Sequence, residues 1–434
     1  MTTQPGFAVD VYQNEYLPDG ATEVNAILTV TSTGGDPGPD AGQPTVEAAE
    51  VIVVDTSGSM QYPPTKISAA RHATAAAIDT LRDGVAFALV AGSNEAKLVY
   101  PSGERLVPAT ERSRAEAKAA VAGLEPAGGT AIGKWLTLAN RLFGDHPNAI
   151  RHVILLTDGK NEHETPEQLD AALTACAGNF TCDCRGVGTN WVVSELRKIA
   201  SAMLGTVDIV ADPGGLEADF RAMAEAAMGK ALARVALRLW TPQGATVRFV
   251  KQVAPAVEDL TAMRTASGTQ SGDYPLGAWG DESRDYHACV GVKAGAVGDE
   301  MLAARASVVL QAADGTAQVL AQGLVRAVWT DDTALSTRIN PNIAHYTGQA
   351  ELAQAIQDGL EARKSGDLDV ATAKLGRAVS LATESGNKQI ADLLDKVVDV
   401  IDPATGTVRL KAKVEEADEM ALDTRSTKTV RVRK

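Results

Sequence analysis

The sequence predicts an α/β protein, a doubly wound and mostly parallel sheet inserted into an antiparallel β-sandwich, with a helical domain after it. Three observations carry this. Between residues 48 and 230, short continuous β-branched runs alternate with amphipathic stretches, the pattern of parallel strands covered on both faces by helices. From 231 to 332 strand-like runs return without long helices, and from 333 to 402 the apolar spacing is helical, with glycine or asparagine at the breaks.

In chain order, Phe7, Val9 and Val11 alternate with Asp10 and Tyr12, so one face of a strand is apolar. After the turn residues Pro18, Asp19 and Gly20 comes "EVNAILTV", and the pair reads as a hairpin over 1–33. An isolated hairpin is rarely stable in water, so it is expected to join the later sandwich. "GGDPGPDAGQP" cannot hold regular structure, and 34–47 reads as a linker. In the α/β segment the strands are "EVIVVD", "VAFALV", "HVILLTD", "CDCRGVG" and "VDIVAD". Five helical stretches lie between them, the fourth opening on Thr165, Pro166 and Gln168, a capping signal. The sandwich runs are "ARVALRLWTP", "ATVRFVKQV", "YHACVGVKA", "LAARASVVLQ" and "AQVLAQGLVRAVW", broken by an expected glycine-rich loop, "SGTQSGDYPLGAWGDES". Three helices follow, "AELAQAIQDGLEARKSGD", "LDVATAKLGRAVSLATESG" and "NKQIADLLDKVVDVI". The acidic-to-basic end, 403–434, reads as disordered.

At 434 residues the chain is too long for one core. Its net charge of -14 argues against a nucleic-acid or membrane-surface binder, which needs a basic face. No basic-then-apolar leader opens the sequence, no run of apolar residues could span a bilayer, and four cysteines do not make a disulfide scaffold. A cytoplasmic location is the expectation.

"VIVVDTSGSMQ", residues 51–61, raises the functional question. A strand ends on Asp55, and Ser57 and Ser59 follow at alternate positions. In an open parallel sheet, ligands sit at the carboxyl ends of the strands. Asp158 ends another predicted strand in the same way, and Thr130 stands at a helix start behind two glycines. Two carboxylates and three hydroxyls suit Mg²⁺, Mn²⁺ or Ca²⁺, and suit zinc or copper poorly. So small a charge leaves a coordination position that a partner's carboxylate can take. The bland alternative keeps the serines as caps and turns.

Asp55, Ser57 and Ser59 resemble the Asp-x-Ser-x-Ser motif of von Willebrand factor type A domains, with Thr130 and Asp158 at the remaining positions of the metal-ion-dependent adhesion site. "GGTAIGKWL", "LLTDGKNE" and "CRGVGTNW" are similar to later landmarks of that family. The flanking segments resemble the class in which this domain is set into a β-sandwich, as in inter-alpha-trypsin inhibitor heavy chains and related bacterial proteins. The resemblance implies a metal held by these five residues, a partner's acidic side chain completing the shell, and a last helix, "LEADFRAMAEAAMGK", that shifts on binding.

Other candidates have structural readings beside them. The loop "DGKNEHETPEQ" is expected to border the crevice, with Gly129, Lys160, Glu162, His163 and Glu164 as the partner-binding rim, or to be merely solvated. Cys176, Cys182 and Cys184 read as core packing, with a zinc site or a Cys176–Cys182 disulfide as alternatives. His72 and His152 read as packing or surface residues. Thr424, Thr427 and Thr429 lie among basic residues in the tail, open to a Ser/Thr kinase and a phosphothreonine-reading protein, or else part of a solubilising end. The leading functional expectation is a metal-dependent, non-enzymatic scaffold. The alternatives are a metal-assisted hydrolase, for which no nucleophile elbow, P-loop or separate base is found, and a thiol or zinc sensor.

Overall fold

The computed structural model describes residues 6–33, 47–312 and 315–432. The predicted linker therefore lies, but for Glu47, outside the described residues. Contacts divide the chain into two compact units: residues 47–233 with Gly277–Gly280, and residues 6–33 with 234–276 and the described residues from 281 onward.

The first unit is built on a seven-stranded sheet. Its path runs Val207–Val210, Thr181–Val187, Ile150–Thr157, Ala48–Asp55, Ala86–Gly92, Ala96–Tyr100, and Val107–Pro108 also pairs with Ala86–Gly92. The first five are parallel neighbours. Ala96–Tyr100 and Val107–Pro108 are antiparallel edge pieces that the sequence reading missed, because they are short and only half-buried. Ala48–Asp55 is buried along its whole length, as a central strand with both faces covered must be. Helix Thr65–Thr80 presses Ile67, Ala70, Ala73 and Ala77 into the same core as Phe220 and Met223 of helix Leu216–Met228. The capping box at Thr165 is formed, with Gln168 answering from the third helical position.

In the second unit, Gly6–Gln13 pairs antiparallel with Glu23–Thr33, which pairs in turn with Glu282–Gly291 and through it with Thr246–Ala254. The N-terminal strands thus belong to sheets completed by strands more than two hundred residues later. The other sheet runs Thr265–Gly268, Ser271–Trp279, Leu232–Trp240, Glu300–Gln311, Ala317–Thr330, Tyr16–Pro18. The two sheets meet where Val9 and Val11 approach Gly323; a Cβ there would stand 2.6 Å from Val11 Cγ2. The expected loop "SGTQSGDYPLGAWGDES" is instead largely a strand, Ser271–Trp279. It buries Tyr274 and Leu276 and carries Asp273, which accepts two bonds from Arg238 at 2.7 and 2.8 Å.

Helices Pro341–Ser365 and Leu368–Ser385 end on Gly366 and Gly386, both left-handed, φ 85° and 67°. The third helix stops at Val397, short of the expected Ile401, and Val398–Asp402 leaves it as a strand paired with Thr407–Leu410. The expected disorder of 403–434 is not what the structure has over 403–432, the described part of that segment. Helix Glu416–Arg425 buries Met420, Ala421 and Leu422, and Glu419 pairs with Arg363 at 2.7 Å. Beyond it, Thr429 N–H donates to Pro255 O at 2.9 Å, and Val430 O accepts from His345 at 2.7 Å and Gln349 at 2.9 Å. Buried apolar residues and paired backbone hold a segment whose charge pattern alone suggests solvation.

Candidate metal centre

The parallel register sets the end of Ala48–Asp55 beside the end of Ile150–Thr157, with Val54 opposite Leu156. Asp55 and Asp158 therefore meet although they lie far apart in sequence. Three backbone bonds fix the loop after Asp55: Thr56 N–H to Gly92 O at 2.7 Å, Gly58 N–H to Gly128 O at 2.9 Å, and Ala127 N–H to Thr56 O at 2.6 Å. Both carboxylates are fully buried, Ser57 and Thr130 nearly so, and Ser59 is exposed.

Asp55 Oδ1 accepts from Ser57 N–H at 2.7 Å, and Oδ2 accepts from the Thr157 hydroxyl at 2.5 Å. Burial pushes the Asp55 carboxyl up to about 6, against the pull of the Ser57 and Thr157 bonds. The Ser57 and Ser59 hydroxyls are 2.9 Å apart, and Ser59 donates to Asp158 Oδ1 at 2.5 Å. Gly159 tests whether the oxygens enclose a usable space. A Cβ on it would stand 3.1 Å from Thr130 Oγ1, 3.3 Å from Ser59 Oγ and 3.9 Å from Asp55 Oδ2. The glycine leaves open a cradle faced by oxygens from three elements. With two carboxylates and three hydroxyls, the donor set fits a hard divalent cation.

The rim is only partly what the sequence suggests. Lys160, Glu162 and His163 are exposed, and the His163 ring lies directly over Gly129, where a Cβ would meet it at 2.0 Å. The His163 Nδ1 also accepts from Thr130 N–H at 3.2 Å, and the His163 backbone N–H donates to Thr130 O at 2.9 Å. Glu164 turns inward. Its Oε1 accepts from Gly133 N–H at 2.7 Å and from Asn161 Nδ2 at 2.7 Å, while Asn161 Oδ1 accepts from Ile132 N–H at 2.8 Å. The two side chains cap the first turn of helix Ile132–Leu142 and so hold Thr130 in place, which corrects the reading of Glu164 as a partner contact.

The cysteines are buried free thiols. Cys182 and Cys184 lie 3.8 Å apart on one strand, and Cys176 faces Leu136 O at 3.6 Å. Burial pushes the Cys176 thiol up to about 11 and raises Cys182 as well, which disfavours the thiolate that zinc needs. Among the described residues no three of His, Cys, Asp and Glu come together to hold a metal, so the zinc alternative is not supported. The tail threonines are not free handles either. Thr424 is buried with its hydroxyl bonded to Met420 O, Thr429 Oγ1 donates to Val253 O at 2.7 Å, and Thr427 is half-buried with its carbonyl taken by Val257 N–H at 2.8 Å.

The von Willebrand factor type A domain family matches residues 49–209, and the family's C-terminal domain matches 380–426. A von Willebrand factor type A structure from Catenulispora acidiphila is 54% identical, covers 100% of this chain and 99% of its own, and superposes with a TM-score of 0.93. The chain belongs to the von Willebrand factor type A family. The ArnB paralog VWA2 from Sulfolobus acidocaldarius shares the fold at TM-score 0.61 and 12% identity, covering 99% of this chain and 100% of that one. The Synechocystis protein sll0103 is 29% identical over 48% of this chain and 49% of its own, so the chain matches about half the length of that curated relative. Domains of this family are typically interaction modules, and they often hold a divalent cation at the adhesion site. Among the described residues no helix is long and apolar enough to cross a membrane.

Sequence reasoning missed Lys66, whose ammonium lies 2.5 Å from Asp158 Oδ2, and Thr157, whose hydroxyl serves Asp55. Lys66 carried a weak signal, a lysine in the first turn of the helix that leaves the Ser59 loop. Thr157 carried none beyond preceding Asp158.

Proposed function

We propose that the protein is a non-enzymatic scaffold that binds an acidic side chain of a protein partner through a divalent cation, Mg²⁺ in the first instance with Mn²⁺ or Ca²⁺ as substitutes. Asp55, Ser57, Ser59, Thr130 and Asp158 would hold it. The carrying observation is the space kept open at Gly159, which a Cβ would fill to within 3.1 Å of Thr130 Oγ1. When bound, the cation would supply a Lewis-acidic position for a partner's carboxylate oxygen. Asp55 and Asp158 supply the buried negative charge, Asn161 and Glu164 keep Thr130 in register, and Lys160, Glu162 and His163 form the exposed rim. Tyr62, 72% exposed, follows the Ser59 loop and offers an aromatic anchor of the kind that dominates interfaces. The working setting is bacterial cytoplasmic signalling or complex assembly. Phosphorylation of Thr424, Thr427 or Thr429 enters only as a secondary regulation that first requires the tail to leave its bonds.

The test is calorimetric titration of the full chain with MgCl₂ and MnCl₂, beside Asp55→Ala, followed by capture of binding proteins in Mg²⁺ or EDTA. Saturable heat lost in the variant, and a partner that needs both the cation and one acidic residue of its own, support the reading. Binding that persists through EDTA and Asp55→Ala overturns it.

A further inference from the structure

Lys66 stands in the first turn of helix Thr65–Thr80 with a side chain only 7% exposed. Lysine is almost never this buried unless it is paired, and among the described residues Lys66 pairs with Asp158, at 2.5 Å. The Asp158 carboxylate is thus divided. Oδ2 belongs to the lysine, while Oδ1 faces the hydroxyl cluster and accepts from Ser59. Among the described residues Asp55 has no such countercharge, and its donors are the neutral Ser57 N–H, Thr157 hydroxyl and Asp158 N–H.

Deepening the proposed function and resting on it, we propose that Lys66 is the charge-setting and positioning residue of the metal centre. Its first effect is geometric: it ties back one oxygen so that the other points into the cradle. Its second is electrostatic. With Lys66 the two buried carboxylates carry one net negative charge, and a divalent cation turns the cluster net positive by one. Without Lys66 the loaded cluster would be neutral. The lysine therefore weakens cation binding and leaves a positive centre to attract the partner's carboxylate, so the metal is exchangeable and the acid is selected by charge as well as by an open position. A spectator ion pair placed only for stability would have no such effect on affinity.

The experiment uses the full chain as wild type, Lys66→Met and Lys66→Arg. Mn²⁺ binding is read by electron paramagnetic resonance and Mg²⁺ binding by calorimetry. Removing a buried cation beside a divalent site is expected to tighten binding by ~10-fold or more in Lys66→Met. Lys66→Arg, which keeps the charge, should stay within about threefold of wild type. If Lys66→Met folds only with metal, the Mg²⁺ concentration at its folding midpoint replaces the calorimetric value and should lie below the wild-type Kd. Equal or weaker binding in Lys66→Met, with wild type binding normally, overturns the role of Lys66 and leaves the metal reading standing. Absence of binding in all three proteins overturns both.

Discussion

Replacing His152 with alanine should cost the first unit about 3–5 kcal/mol. The ring is buried in the central sheet, where the register sets Glu50 directly beside it. Nδ1 lies 2.9 and 3.0 Å from the two Glu50 oxygens, and Nε2 lies 3.0 Å from Asp183 Oδ2. Burial alone would lower the imidazole, but Glu50 and Asp183 overcome it and hold it up from 6.5 to about 10. That rise corresponds to roughly 5 kcal/mol of preference for the imidazolium in the folded state. Glu50 takes part of this back, since burial raises its own carboxyl against the pull of His152. What remains agrees with the ~3–5 kcal/mol typical of removing one partner from a buried ion pair. The assay is hydrogen exchange of peptides covering Ala48–Asp55 and Ile150–Thr157, which reads the opening free energy of this unit by itself. The pH dependence fixes the sign. A raised histidine contributes fully below pH 6.5 and loses its contribution as pH rises through about 10, so wild type and His152→Ala should differ most below about pH 6.5, still differ clearly at pH 7 and converge in alkali. A difference below about 1 kcal/mol at pH 7, or one that grows toward pH 10, refutes the reasoning.

Mg²⁺ affinity should be flat above pH 7 and fall by about tenfold per unit below pH 6, because the proton competes for Asp55, held up at about 6 by burial; calorimetry from pH 5 to 8 checks it. Gly159→Ala puts a Cβ against Thr130 Oγ1 and Ser59 Oγ and should weaken Mg²⁺ by roughly tenfold while shifting Tm by only a few degrees. Asn387→Ala removes the cap on Ile390 N–H and the bond to Lys428 O, and should cost about 1–3 kcal/mol, seen as faster exchange in peptides covering 426–432.

What the sequence made legible and what it hid divide along a physical line. Asp55, Ser57 and Ser59 are contiguous, so their chemistry can be read before any folding is known, and Asp158 and Thr130 repeat a local rule, an acid at a strand end and a hydroxyl at a helix start. Roles that depend on register are invisible at that level. His152 reads as packing or surface, yet two neighbouring strands make it the bridge between Glu50 and Asp183; a one-residue slip would turn its side chain to the other face. Glu164 shows the converse error, since nearness to Asp158 in sequence suggests the rim, while the unsatisfied N–H groups of the next helix claim its carboxylate. The tail fails for a third reason. Its docking is carried by backbone, Lys428 bridging Ala256 and Thr429 bonding Pro255, and by three buried apolar positions, Met420, Ala421 and Leu422, set among charges. Backbone pairing has no side-chain pattern, so charge composition misleads most where main-chain hydrogen bonds hold a segment in place.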